Sequence, residues 1–126
     1  MANQGTYNFG KEGEKVAADF LKKKGYRILE MNFRTKTGEI DIVAEHKKTI
    51  AFVEVKTRSG VSLGRPETSV NEVKQRKLFR VAELFLAKHK IRERPSRFDI
   101  VAISGNPKEP EKWDIRLTQD AFRLKL

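Results

Sequence analysis

Gly38-Glu39-Ile40-Asp41-Ile42-Val43-Ala44, then a polar turn, then Ile50-Ala51-Phe52-Val53-Glu54-Val55-Lys56: these two runs decide the fold. Both are rich in β-branched and aromatic residues, and both are too short for helices, so they read as the arms of a β-hairpin. Side chains alternate faces along a strand, which puts Ile50, Phe52, Glu54 and Lys56 on one face. A carboxylate and an ammonium on the inner face of a strand require a compensating partner. With the turn running from Glu45 to Thr49, antiparallel pairing sets Asp41 opposite or nearly opposite Glu54. Directly paired Cβ atoms lie roughly 5 Å apart. Two carboxylates at that range favour a cation between them, and Lys56 is placed to hold a water or an anion.

Working outward, Asn8 to about Lys24 reads as a helix, with Phe9, Val16, Ala17, Phe20 and Leu21 at helical spacing and Gly25 as its stop. Met1 to Tyr7 reads as a flexible polar tail. Tyr26–Phe33 reads as a strand, and Ser59–Thr68 as a loop. A second helix opens on a capping box, Ser69-Val70-Asn71-Glu72, and runs to about His89. Its apolar stripe is Val70, Val73, Leu78, Val81, Ala82, Phe85 and Leu86. Phe98–Ile103 and Trp113–Leu117 are two further strands, and a short helix is expected in Gln119–Leu126. The order helix, three strands, helix, two strands predicts an α/β fold with a mixed central sheet flanked by helices.

The chain has 126 residues, the size of one domain, read as residues 1–126, and its formal net charge of +10 points to a polyanionic partner, nucleic acid first. The charge is concentrated: between Lys74 and Arg97 stand nine Lys or Arg against Glu83 and Glu93. The absence of cysteine excludes disulfides, thiolate metal sites and a Cys nucleophile. No apolar stretch approaches the ~18 residues of a membrane span. The first residues lack a signal-peptide pattern, so a cytoplasmic protein without membrane attachment is expected. His46 and His89 are expected to be solvated, and most of the aromatic residues to be packing, with Phe79 and Tyr7 left as candidates to stack on a base or a partner.

Glu14 falls on the same helical stripe as Ala17 and Leu21. An acid there needs either a basic neighbour at the core edge or a metal. Glu39 shares a strand face with Asp41, either beside a site or at a solvated strand end. Lys74 and Gln75 flank the stripe of the second helix, so at least one should reach the edge of the sheet.

A helix carrying Glu, then Asp, then Glu-x-Lys on neighbouring strands resembles the restriction-endonuclease-like PD-(D/E)xK nuclease superfamily. The set Gly10-x-x-Gly13-Glu14, Gly38-Glu39-Ile40-Asp41, Phe52-Val53-Glu54-Val55-Lys56-x-Arg58 and Arg97-Phe98-Asp99-Ile100-Val101 resembles the small YraN-like bacterial family within it. In size and charge the chain is similar to archaeal Holliday-junction resolvases, which share the superfamily. The resemblance implies a restriction-endonuclease-like core and a metal-dependent DNA endonuclease. It implies that Asp41, Glu54 and the Val55 carbonyl bind Mg²⁺ or Mn²⁺, and that Glu14 holds a second metal or a metal-bound water. Lys56 would position the attacking water or stabilise the transition state, with Gln75 behind it. Phosphate contacts would fall to Arg34, Lys36, Arg58, Arg65, Lys74 and Lys77. No base-reading element is visible, which favours substrates chosen by structure, such as branched DNA. The alternative is a nucleic-acid-binding module or basic interaction protein that keeps the fold without catalysis. The sequence does not fix an oligomeric state; cutting both strands of a symmetric junction would favour a C2 homodimer.

Overall fold

The computed structural model describes residues 2–60 and 70–123, with side chains described from Phe9 onward. The elements are α1 (Ala2–Lys23), β1 (Arg27–Arg34), β2 (Glu39–His46), β3 (Thr49–Ser59), α2 (Glu72–Lys88), β4 (Ser96–Gly105) and β5 (Asp114–Phe122), with a 3₁₀ turn at Pro110–Lys112. The strands form one sheet in the order β1-β2-β3-β4-β5. Among the described residues, β3 and β4 pair parallel and the other neighbours antiparallel. A parallel pair needs a crossover, and α2 supplies it.

The alternation along the hairpin sorts the core into two layers. Ile42, Ala44, Ala51 and Val53 pack on one face with Ala17, Ala18 and Leu21 of α1. Val43, Ile50 and Phe52 pack on the other with Leu78, Val81, Ala82 and Phe85 of α2. The face that holds Ile50 and Phe52 therefore carries Glu54 and Lys56 toward the α2 side.

Several boundaries differ from the expectation, each for a local reason. Helix α1 begins at Ala2, ahead of the predicted Asn8. Helix α2 begins at Glu72: Asn71 is extended (φ −67°, ψ 161°), and its side chain accepts the Lys74 N–H at 2.9 Å. Asn71, rather than the start of the predicted capping box, is the N-cap. Ser69 and Arg65 lie outside the described residues. With the helix phased from Glu72, Val73 falls off the stripe and is 65 % exposed. The expected C-terminal helix is instead strand: β5 continues through Ala121 and Phe122, and Phe122 stacks on Phe98 at 4.8 Å. An unpaired neighbour on β4 favours extension of the ladder over a short helix.

His46 is not solvated. It is half-buried, stacks on Tyr26 at 4.4 Å, and its Nδ1 lies 3.0 Å from an Arg97 nitrogen. Arg97 can only donate, so Nδ1 accepts and the ring is neutral. The same network surrounds Asp99, which is fully buried and accepts from Tyr26 Oη (2.8 Å), Arg97 Nε (3.0 Å) and the Asp120 N–H (2.9 Å). It ties β2, β4, β5 and the start of β1 together, from His46 opposite Thr49 to Asp99 opposite Val53. His89, by contrast, is exposed and lies 3.7 Å from Glu30.

Gly13 sets how closely α1 can approach the sheet. A Cβ there would lie 2.3 Å from Thr57 Cγ2. The turn that carries Glu14 can therefore rest directly on β3.

Two predictions follow from this packing. Gly13→Ala should destabilise the protein by about 1–3 kcal/mol in denaturant melts through overpacking, despite alanine's better helix propensity. In a Thr57→Ser background, which lacks that methyl, most of the loss should be recovered. For His46, burial first and the Arg97 charge second hold the imidazole below its ordinary pKa of 6.5. The unfolded chain then binds the proton more readily, so stability should fall as pH drops below about 6.5. His46→Gln should flatten that part of a denaturation-midpoint profile.

Candidate metal centre

Strands β2 and β3 part company at Asp41. Their pairing runs from His46↔Thr49 to Ile42↔Val53 and stops there. The next step of the same register would bring Asp41 against Glu54. Instead, the Val55 N–H donates to Asp41 Oδ2 at 2.7 Å. A side-chain oxygen replaces the backbone carbonyl that a continued ladder would have supplied. On the other edge of β2, Asn32 faces Asp41 between the Met31↔Ile42 and Phe33↔Ile40 pairs.

Three carboxylates converge there. Single oxygens of Glu14, Glu39 and Asp41 all lie within 4.8 Å of one another, and all three side chains are half-buried. Each is delivered by a different constraint. Glu14 sits one residue beyond Gly13 on the inward stripe of α1. Glu39 opens β2 and is gripped by Arg34 Nε at 2.9 Å. Asp41 is held by the Val55 amide. Asn32 Nδ2 donates to Glu14 Oε1 at 3.1 Å and to Glu39 Oε1 at 3.0 Å.

Glu54 adjoins this set through Asp41. Burial first, then repulsion from Glu54 and a hydrogen bond shared with it, then Glu14, push Asp41 up to about 8, against the lowering effect of the Val55 amide. On its outer side, Glu54 Oε1 lies 3.5 Å from Lys74 Nζ, which reaches over from the first turn of α2. Lys56 is half-buried on the same strand face as Glu54. Val55 presents its N–H to Asp41, in addition to the carbonyl that the resemblance singled out.

The remaining predicted residues lie around this centre. Gln75 turns back so that Nε2 donates to the Val70 carbonyl, bracing the entry to α2 rather than reaching the carboxylates. Lys36 is exposed in the β1–β2 turn, Arg58 near the end of β3 and Lys77 on α2. Two residues carry more of the site than the sequence suggested. Glu39 belongs to the tightest carboxylate set, and the register with Asp41 was the signal that placed it on the right face. Asn32 left no signal in a stretch that reads simply as a strand.

The donor set is entirely oxygen, which suits Mg²⁺ or Mn²⁺ rather than a soft metal. An acid pushed to about 8 among other acids shows crowding that a cation would relieve. The residues present therefore fit a divalent cation.

Together, the fold and these side chains define a small mixed α/β protein with a half-buried carboxylate cluster beside a basic helix. The family described as "Uncharacterised protein family UPF0102" matches residues 13–103, and the chain belongs to it. It is 48 % identical over 113 residues to a UPF0102 protein of Caldicellulosiruptor saccharolyticus, covering 90 % of this chain and 95 % of that protein. A relative from Clostridium botulinum is 42 % identical over 118 residues, covering 93 % and 95 % of the two chains. One from Thermodesulfovibrio yellowstonii is 52 % identical over 95 residues, covering 75 % and 84 %. The matched span includes Glu14, Asn32, Glu39, Asp41, Glu54 and Lys56. Among the described residues, no helix is long and apolar enough to cross a membrane.

The carboxylates predict a pH signature. Asp41 holds its proton in the folded state up to about 8, against a reference of 3.8. The unfolded chain releases it earlier, so the metal-free protein should lose stability as pH rises from about 4 to about 8, and level off above. Asp41→Asn keeps an oxygen for the Val55 amide and removes the charge. Its denaturation midpoint in chelator should exceed that of the wild type at pH 8 and vary less with pH.

Proposed function

We propose that this protein is a metal-dependent endonuclease that hydrolyses phosphodiester bonds in DNA, choosing its substrate by structure rather than by sequence. The observation that carries this reading is the convergence of Glu14, Glu39 and Asp41 within 4.8 Å, with Glu54 beside them. The helix–three strands–helix–strand order supports a restriction-endonuclease-like core, and the charge of +10 supports a polyanionic substrate.

Asp41, Glu54 and Glu14 would hold Mg²⁺ or Mn²⁺, with Glu39 and the Val55 carbonyl as further oxygen donors. When bound, such a cation neutralises charge on the scissile phosphate and lowers the pKa of a water ligand. The chain's own residues supply the rest. The Val55 N–H fixes Asp41 so that one oxygen is committed and the other is left for the site. Lys56, on the face of Glu54, places a cationic group where negative charge grows in the transition state. Lys74 is positioned by α2 to exchange its contact with Glu54 for a phosphate oxygen. Lys36 in the β1–β2 turn, Arg58 on β3 and Lys77 on α2 lie exposed and can follow a phosphate backbone. Arg34 is engaged with Glu39, which makes it a support of the carboxylate as much as a phosphate contact.

A second reading, a nucleic-acid-binding module without catalysis, is favoured by the ion pairs Lys74–Glu54 and Arg34–Glu39, which satisfy two of the acids without a metal ion.

A cleavage assay separates the two. Linear duplex, single-stranded, flapped and four-way-junction DNA would be incubated with Mg²⁺ or Mn²⁺. Wild-type protein should cut at least one branched or single-stranded form. Glu54→Ala should reduce that rate by about 10²–10³-fold, the scale of losing one electrostatic stabiliser, while still binding DNA with a steep salt dependence. Cleavage that survives Glu54→Ala would place the activity elsewhere. Binding without cleavage by the wild type would favour the second reading.

A further inference from the structure

We infer that Asn32 is a positioning residue for the cation site, holding Glu14 and Glu39 at one spacing and so bringing Glu39 into the site as a working carboxylate. The inference rests on reading the cluster as a cation site. It goes beyond that reading by assigning a role to a neutral residue of β1, and by naming what sets the position of Glu39.

The geometry is specific. One nitrogen, Asn32 Nδ2, donates to two carboxylates that arrive from different elements, Glu14 of α1 at 3.1 Å and Glu39 of β2 at 3.0 Å. Left to themselves, two such acids would repel and separate. The backbone of Asn32 is left-handed, φ 52°, within a strand. Asparagine tolerates that conformation far better than a branched or bulky residue.

The chemical choice of donor matters as much as its position. A lysine or arginine at this point would neutralise the cluster and compete with a divalent cation. An amide joins the two carboxylates without adding to the positive charge that Arg34 already brings to Glu39. A carboxylate offers about four lone-pair sites, so one bond to Asn32 leaves capacity for a cation. Glu39 is held on both sides, by Asn32 at Oε1 and by Arg34 at Oε2. Its orientation is thereby fixed before any ion arrives, which is what partners behind metal ligands do.

The test compares wild type, Asn32→Gly, Glu14→Gln and the double variant by Mn²⁺ calorimetry. Glycine accepts the positive φ, so Asn32→Gly should melt in chelator close to the wild type. Asn32→Gly should nevertheless weaken Mn²⁺ binding by about 10–100-fold, the range for partners of metal ligands. The double variant should lose less than the sum of the singles, because part of the effect of Asn32 passes through Glu14. In a Mg²⁺ titration followed by NMR, the side-chain amide signals of Asn32, identified by their loss in Asn32→Gly, should shift until the site is saturated. Unchanged Mn²⁺ affinity in Asn32→Gly, fully additive losses, or unmoved amide signals at saturating Mg²⁺ would each overturn the role of Asn32 alone. No Mn²⁺ binding by the wild type would instead remove the cation site, and this inference with it.

Discussion

One hydrogen bond governs the rest of the site: Val55 N–H to Asp41 Oδ2, 2.7 Å, where β2 leaves β3. A central strand cannot lose a neighbour without orphaning an amide in a poorly solvated place, and such an amide is costly. Asp41 meets that requirement with its side chain. The carboxylate is thereby held next to Glu54, even though burial and repulsion push its proton affinity up to about 8. Backbone satisfaction and the crowding of the carboxylates thus meet in one side chain. The ladder stops where the carboxylates begin.

The other groups reach that point through packing rather than pairing. Gly13 lets α1 lie against Thr57, and Glu14 follows one residue later on the inward stripe. From the opposite layer, Asn71 starts α2 so that Lys74 falls in the first turn and overhangs Glu54 at 3.5 Å. The site is therefore a junction of both helical layers at the place where the hairpin opens. The network around Asp99, Arg97, Tyr26 and His46 ties the same strands together from the level of Thr49 to that of Val53, where the β2–β3 ladder stops.

Much of this was legible because it depends on period and register. The alternation in Ile50-Ala51-Phe52-Val53-Glu54 fixed the face of Glu54, and the hairpin length aligned it with Asp41. The 3.6-residue spacing to Ala17 and Leu21 turned Glu14 inward. What escaped reading depends on positions that break period. Asn32 acts through a left-handed backbone inside a strand, which no alternation rule announces. His46 was assigned to solvent because it adjoins a charged turn, but Arg97 and Tyr26 arrive from distant parts of the chain to cover it. The strand through Phe122 was missed because its partner is β4, and polar Gln119 and Asp120 gave it no apolar pattern. Gln75 flanks the apolar stripe of α2, and its amide bonds to the Val70 carbonyl, a local partner that helical spacing does not announce.

The single parallel pair has a consequence for how the molecule comes into being. The acids of the site all precede Val55, but β3 gains its second neighbour only when β4, beginning at Ser96, has crossed over behind α2. Such a long-range pairing must bear loop closure before it gains contacts, so it is a slow step. During synthesis, α1 and the first three strands would leave the ribosome with β3 still an open edge, and unpaired edges recruit foreign strands. Charged residues at the exposed end of that edge, Lys56 and Arg58, discourage such pairing while the chain waits. The same two cations that end β3 in the finished protein can thus protect its nascent chain.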